Sequence, residues 1–365
     1  MYQITSRIDF PEIDSHFTPL LDALAAHQLP VFRDGPRAAR AGAGREIDLR
    51  AGDDRLDVTI RTADEATLNW MRYAITALID FNARAVSPVV EWHGDTLGET
   101  LPPQLQVFRV CGTEDIAPRM RRIWFSGADV TRYDTMAQIH SRLLFGRGRG
   151  MPAQWPFMTD DGRIRWPEGA DTLDTRVYTV RHVDVAAGRL AVDFFLGAHD
   201  GPATAWARGA RVGDGVGFIG PAAHGLIPAG VHVFAGDETG LPGIARCLEH
   251  LGPKARGVAL IEVDGPGDVQ PLAVPEGVTL HWLYRAGAAP GTTPILAEAL
   301  ARVSWPQDLG DCAFWCGAEY AAFRAMRRMV RDLGLPRDRI VAFAHWRRGM
   351  SEPDIAAAGS ASIRD

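Results

Sequence analysis

The sequence predicts three folded parts in series: a small α+β unit, a strand-rich middle and an α/β domain. Three observations carry this. Before residue 97, two strands of alternating pattern lie between two amphipathic helical stretches. Further on, Arg176–Arg181 alternates as a strand does, and a Gly-Pro-Ala helix start follows at Gly201–Ala203. A strand at Val231–Ala235 then runs through a glycine-rich turn, Gly236–Gly243, into a helix from Ile244 to Leu251.

The first part, 1–97, is an α+β unit. Residues 14–27 place Phe17, Leu20, Leu21 and Leu24 at helical spacing. Glu46–Arg50 and Leu56–Ile60 alternate as strands around a turn at 51–54. Residues 64–83 form a second helix, with Leu68, Met71, Ile75 and Ile79 on one side, and Trp92 closes the unit. Thr96–Pro103 reads as a linker.

The middle part, 104–228, opens with strands at Gln106–Val110 and Arg121–Phe125, then His140–Phe145. Phe145–Gly150 is followed by a long Pro/Trp-rich segment to about Gly169, and so long an irregular loop is often functional. In Arg176-Val177-Tyr178-Thr179, Arg176 and Tyr178 share a face. An arginine there offers a diphosphate a fork of donors. The tyrosine ring offers a flat surface, and Thr179 a hydroxyl donor. Gly201-Pro202-Ala203-Thr204 turns the chain into a helix whose free N–H groups suit a diphosphate.

The third part, 229–350, is α/β. Strand, glycine-rich turn and helix form the dinucleotide-binding layout, although the spacing is not G-x-G-x-x-G. Asp237 and Glu238 are electrostatically odd in a phosphate loop, which suggests that the turn also places Thr239. Further strands are expected at Val258–Val263, Val278–Tyr284 and Ala313–Gly317, with a helix from Tyr320 to Leu333. Residues 351–365 read as a tail.

Composition excludes some functions. With 365 residues and a net charge of −6, nothing points to nucleic acid. No apolar run approaches the ~20 residues of a membrane helix. The first residues lack a signal-peptide pattern, so a cytoplasmic location without membrane insertion is expected. Four cysteines, Cys111, Cys247, Cys312 and Cys316, form no C-x-x-C pair, so reduced structural thiols are expected and no metal site. Lys254 is the only lysine, so a cationic surface must be built of arginine.

Five motifs between about residues 104 and 350 resemble the siderophore-interacting protein family. They are Arg176-x-Tyr178-Thr179, Gly201-Pro202-Ala203-x-x-Trp206-Ala207, Asp237-Glu238-Thr239, Ala318-Glu319 and Trp346-Arg347-x-Gly349. The chain departs from the family pattern at Gly197-Ala198, where a His-Gly is common, and at Gly240 and Gly243, where alanines stand. The first part resembles a small bacterial domain of unknown function and has no redox motif, so it is expected to be dispensable for electron transfer.

The resemblance implies an antiparallel flavin-binding β-barrel joined to a nucleotide-binding domain, as in ferredoxin reductases. It implies FAD as cofactor and NAD(P)H as donor, with a redox protein as an alternative donor. The implied function is reduction of ferric siderophores to release iron. The alternatives are a general flavin or ferric-chelate reductase and a flavin-bearing sensor. Arg176, Tyr178, Thr179, Gly201, Pro202, Ala203, Thr204, Asp237, Glu238, Thr239 and Trp346 are expected at the cofactors. Arg142, Arg147, Arg149, Arg347 and Arg348 are expected to face an anionic siderophore. No catalytic acid, base or nucleophile is implied.

Overall fold

The computed structural model describes residues 1–350 apart from 28, 45, 96, 149 and 198–200. The chain forms two units: Met1–Leu105 with Gln154–Thr172, and Gln106–Ala153 with the chain from Leu173 on.

The first unit contains β1 (Tyr2–Asp9), α1 (Ile13–Ala26), β2 (Val31–Arg33), β3 (Ala38–Ala41), β4 (Ile47–Gly52), β5 (Arg55–Thr62), α2 (Glu65–Asn82) and β6 (Trp92–Gly94). Its six-stranded sheet has the order β2-β3-β4-β5-β1-β6, with antiparallel neighbours. Alternation sends Ile4, Ile8, Leu49, Val58 and Ile60 into one core with Phe17, Leu21, Leu24, Leu68, Ile75 and Ile79 from the helices. The Asp64 side chain caps α2, accepting from the Thr67 amide at 2.8 Å.

The second unit opens with β7 (Leu105–Ala117), β8 (Met120–Ser126) and β9 (Gln138–Phe145). The chain then returns to the first unit for a hairpin, β10 (Phe157–Met158) and β11 (Ile164–Arg165). The Pro/Trp-rich segment to about Gly169, expected as one loop of the middle part, is therefore divided. Met158 is fully buried and bridges to Thr100. Arg163 grips Asp80 of α2 by two bonds of 2.9 and 2.7 Å, and Thr76 Oγ1 donates to the Asp161 carbonyl at 3.0 Å.

The rest of the barrel is β12 (Asp174–Thr179), β13 (His182–Asp184), β14 (Arg189–Phe195), α3 (Pro202–Gly209) and β15 (Gly215–His224). Its seven strands run β12-β9-β15-β7-β8-β14-β13. The two edges are consecutive in sequence: the Val180 amide bonds Ile139 on one side, and the Arg181 amide bonds Ala191 on the other. That step closes the sheet on itself. Trp206 of α3 fills it, with its ring 4.9–6.4 Å from those of Phe125, Phe145 and Phe194.

The α/β part comprises β16 (Val231–Gly236), α4 (Leu241–His250), β17 (Arg256–Val263), β18 (Val278–Tyr284), α5 (Ile295–Leu300), β19 (Cys312–Glu319), α6 (Tyr320–Asp332) and β20 (Ile340–Trp346). Its parallel sheet has the order β18-β17-β16-β19-β20. Strand order reverses between β16 and β19, which places a switch point at their C-terminal ends. Among the described residues no helix is long and apolar enough to cross a membrane.

The interleaved hairpin changes the expectation that the first unit is dispensable. A chain starting near Pro102 loses Asp80, Thr76 and the packing under Met158. Limited proteolysis should then cut within 154–172 much faster than in the full chain. Equal cleavage rates there would contradict this role for the first unit.

Candidate functional site

Strand β12 pairs with β9, so that Tyr178 stands opposite Ser141 and Thr179 opposite His140. Arg176 is half-buried and donates to the Thr175 carbonyl at 2.7 Å. The Tyr178 ring lies 4.5 Å from Phe194, which fixes its plane against the barrel core. Thr179 Oγ1 and Ser141 Oγ are buried and have no hydrogen-bond partner among the described residues. Both therefore keep bonding capacity for a water or a polar ligand.

Helix α3 packs against β12. Gly201 is its N-cap in extended conformation, Pro202 opens it, and no side chain caps it. The first intrahelical bond runs from the Ala205 amide to Gly201 at 2.9 Å, which leaves the Ala203 and Thr204 amides outside the ladder. Of the departure around Gly197-Ala198, residues 198–200 lie outside the described residues.

At the switch point Asp237 is buried and accepts from four donors. Its Oδ1 takes the Thr239 amide at 2.8 Å and the Thr239 hydroxyl at 2.5 Å. Its Oδ2 takes the Glu319 amide and Trp346 Nε1, both at 2.9 Å. His345 Nδ1 meets the Thr239 carbonyl at 2.9 Å. The turn is thus tied to the ends of β19 and β20. The two glycines that stand for alanines have a steric reason. A Cβ on Gly240 would lie 2.0 Å from the Gly317 carbonyl oxygen, and one on Gly243 would lie 2.6 Å from the Trp315 ring.

An aromatic cluster that sequence reasoning did not assemble surrounds His140. Its ring lies 6.4 Å from Trp315, 5.1 Å from Phe343 and 5.8 Å from His345. The signal was present in β20, where Phe343 and His345 alternate on one face. Their partner on β9, however, is set by tertiary packing.

Glu238 also turns inward. Arg285, fully buried at its side chain, holds both Glu238 oxygens and donates to Glu262 at 3.2 Å. Two carboxylates face one guanidinium in a dry place. Burial pushes the Glu262 carboxyl up to about 7, with Arg285 offsetting only part of the effect. The Glu238 carboxyl also rises through burial. The acids of the turn are thus engaged with the protein itself rather than presented to a phosphate.

Four of the five arginines are described, and they lie in two places: Arg142 and Arg147 beside residues 174–175 of β12, and Arg347 and Arg348 after β20. Arg142 is exposed and donates to Thr175 Oγ1 at 3.1 Å. Arg147 lies 3.6 Å from Asp174, so its charge is partly offset. Arg347 sits over the Tyr320 ring at 4.5 Å, and Arg324 approaches the same ring at 5.7 Å. The exposed Arg348 donates its amide to Glu319 at 3.1 Å. Arg149 lies outside the described residues.

A closed antiparallel barrel with an uncapped helix start, followed by a parallel sheet with a switch point, is the architecture of the ferredoxin-reductase class of flavin-dependent oxidoreductases. The chain belongs to the siderophore-interacting protein family: residues 109–225 match its siderophore-interacting FAD-binding domain and residues 229–349 the siderophore-interacting protein model. An uncharacterized protein of Mycobacterium tuberculosis is 32% identical over 274 residues, 68% of this chain and 92% of that protein. The ferric vibriobactin reductase of Vibrio cholerae is 28% identical over 241 residues, 65% of this chain and 87% of that protein. A siderophore utilization protein from T. fusca is 33% identical with a TM-score of 0.57, covering 68% of this chain and 94% of that one. The siderophore-interacting protein SipS from Aeromonas hydrophila is 28% identical with a TM-score of 0.59, covering 71% and 98%. FAD is the cofactor of this class, and the residues present fit it. The unpartnered Thr179 hydroxyl, the uncapped start of α3 and Arg176 are donors of the kind that a flavin and its diphosphate bond.

The buried acid cluster has a pH consequence. Unfolded, Glu262 loses its proton near pH 4–5, whereas folded it holds the proton to about 7. Across that window the native state binds the extra proton, so this group makes stability fall as pH rises. Glu262→Gln should flatten the dependence of Tm between about pH 5 and 8, each pKa unit being worth about 1.4 kcal/mol. At the upper end the variant should be the more stable protein. Parallel Tm curves for parent and variant would contradict the assignment.

Proposed function

We propose that the protein is an FAD-dependent ferric-siderophore reductase acting in the cytoplasm. The observation that carries the reading is β12, whose Arg176, Tyr178 and Thr179 stand beside the uncapped start of α3. The ferric vibriobactin reductase among its relatives supports the substrate class. FAD, when bound, supplies acceptance of a hydride and release of single electrons. Arg176 and the Ala203 and Thr204 amides bind the diphosphate. Gly201 and Pro202 set the angle at which those amides approach. Tyr178 packs on the isoalloxazine, and Thr179 donates to a ring atom. Asp237, Glu238 and Thr239 act as positioning residues that hold the crest of the parallel sheet, and Asp237 fixes the ring of Trp346 there.

The electron donor is NAD(P)H, with a redox protein as the alternative. The substrate is a chelated Fe(III), and Fe(II) binds hard oxygen ligands more weakly, so reduction releases the metal. Arg142, Arg347 and Arg348 steer an anionic chelate, and Arg147 does so less because Asp174 stands near it. The decisive experiment is anaerobic: NAD(P)H and then a ferric siderophore are added to the flavin-loaded protein while Fe(II) is trapped. Absence of Fe(II) with NAD(P)H and with a reduced redox protein alike would overturn the reading.

Arg176→Ala removes a charge-assisted contact worth about 1.5–3 kcal/mol, so FAD affinity should fall roughly ten- to a hundredfold. Unchanged FAD affinity would remove Arg176 from the site. For an anionic ferric siderophore, the second-order rate constant should fall with ionic strength, and Arg347→Ala or Arg348→Ala should flatten that slope without loss of FAD. A neutral hydroxamate complex should show little salt effect. A salt-insensitive parent would mean that these arginines only solvate the surface.

A further inference from the structure

The first unit holds a charge that its fold leaves unanswered. Arg72 of α2 is 1% exposed, and none of its three guanidinium nitrogens has a hydrogen-bond partner among the described residues. One turn earlier on the same stripe, Asn69 is buried and its Oδ1 also lacks a partner. A buried guanidinium without an acceptor is among the costliest groups a fold can carry. Burial pulls its pKa down, and only the more distant charges of Asp160 and Asp161 oppose that pull.

Those two acids do not bond it. Both oxygens of Asp161 are taken: Oδ1 by the Arg163 amide at 3.0 Å and by Thr159 Oγ1, and Oδ2 by Arg163 Nη1 at 3.0 Å. Asp160 is exposed. Both acids belong to the turn of the β10–β11 hairpin, which lies against α2. A Cβ on Gly162 would come within 2.6 Å of Thr76 Oγ1 and 3.3 Å of Arg72 Cγ. The bare backbone of this turn is therefore a close roof over the arginine, pinned by Arg163 to Asp80 and by Thr76 to Asp161.

We propose that Arg72 is the core of a binding site for a small monovalent anion, a halide or a one- or two-carbon carboxylate, enclosed by the turn Thr159–Arg163. The guanidinium supplies the charge and up to five N–H donors on three nitrogens. The ligand is small because the roof backbone closes directly on the arginine stem. It carries one charge because the site offers one unbonded guanidinium, and Asp160 and Asp161 close by would repel a second negative charge. With the anion in place, the turn seats on a neutral floor. Without it, the turn covers an uncompensated cation and opens more often.

The test uses the full chain at constant ionic strength, with chloride, bromide, formate or acetate exchanged against gluconate, whose bulk excludes it. Hydrogen exchange is read in the peptide covering Thr159–Arg163. At an anion concentration about ten times its Kd, exchange there should slow about tenfold. The halide and carboxylate arms show which source the site takes. Arg72→Met, which keeps the length without the charge, should abolish the difference. Crystals grown in bromide should show its anomalous signal beside Arg72 in the parent, a readout that stands even where the variant does not fold. Identical exchange in all anions, gluconate included, together with no bromide beside Arg72, would overturn the proposal.

Discussion

Four donors from three chain segments converge on one buried carboxylate, that of Asp237. The turn after β16, the end of β19 and the end of β20 are separate in sequence, and this group makes them one surface. Without it Thr239 would lose its anchor, Trp346 its orientation and Glu319 its place at the start of α6. The Glu319 carboxylate in turn bonds the amides of Ala321 and Arg348, carrying the order outward to the arginines. On the other side of unit two's sheet, the buried Arg246 bonds the carbonyls of Val180, Tyr133 and Thr135, joining α4 to the barrel. The end of β12 and the switch point are thereby held in one frame.

The neighbouring acid works differently. Glu238 and Glu262 share Arg285 in a nearly water-free place, so their charges are not both fully compensated. Such a cluster stabilises less than an apolar one of the same volume would, but it specifies geometry, since only one arrangement of β16, β17 and the chain after β18 satisfies it. Two acids in a glycine-rich turn look unsuited to holding phosphate. They are suited to tying strand ends together.

How much of this was legible in the sequence depended on distance along the chain. The strand character of Arg176–Thr179 and the helix start at Pro202 are local properties of alternation and proline placement, and both could be read. Register is not local: nothing in β12 announces that Thr179 faces His140. The partner of Asp237 lies 109 residues further on at Trp346, so the sequence displayed the acid without its purpose. Strand β1 alternates clearly through Tyr2, Ile4, Ser6 and Ile8, but its significance comes from pairing with β5 and β6, which only the folded sheet supplies. The division of the long Pro/Trp-rich segment was illegible for the same reason. Its composition reads as loop throughout, and the break at residue 154 is set by where Met158 and Arg163 find partners.

That break has a consequence for how the molecule is made. Because the ribosome delivers the chain in order, α2 emerges with its polar stripe bare and waits for residues 154–172. At 5–20 residues per second the wait is roughly 4–18 s. Strands β7 to β9 are released meanwhile and must wait in their turn for β12 to β15. The two units are interleaved in time, and neither can finish before the other has begun. A pause in translation between residues 105 and 154 would therefore expose two half-built cores at once.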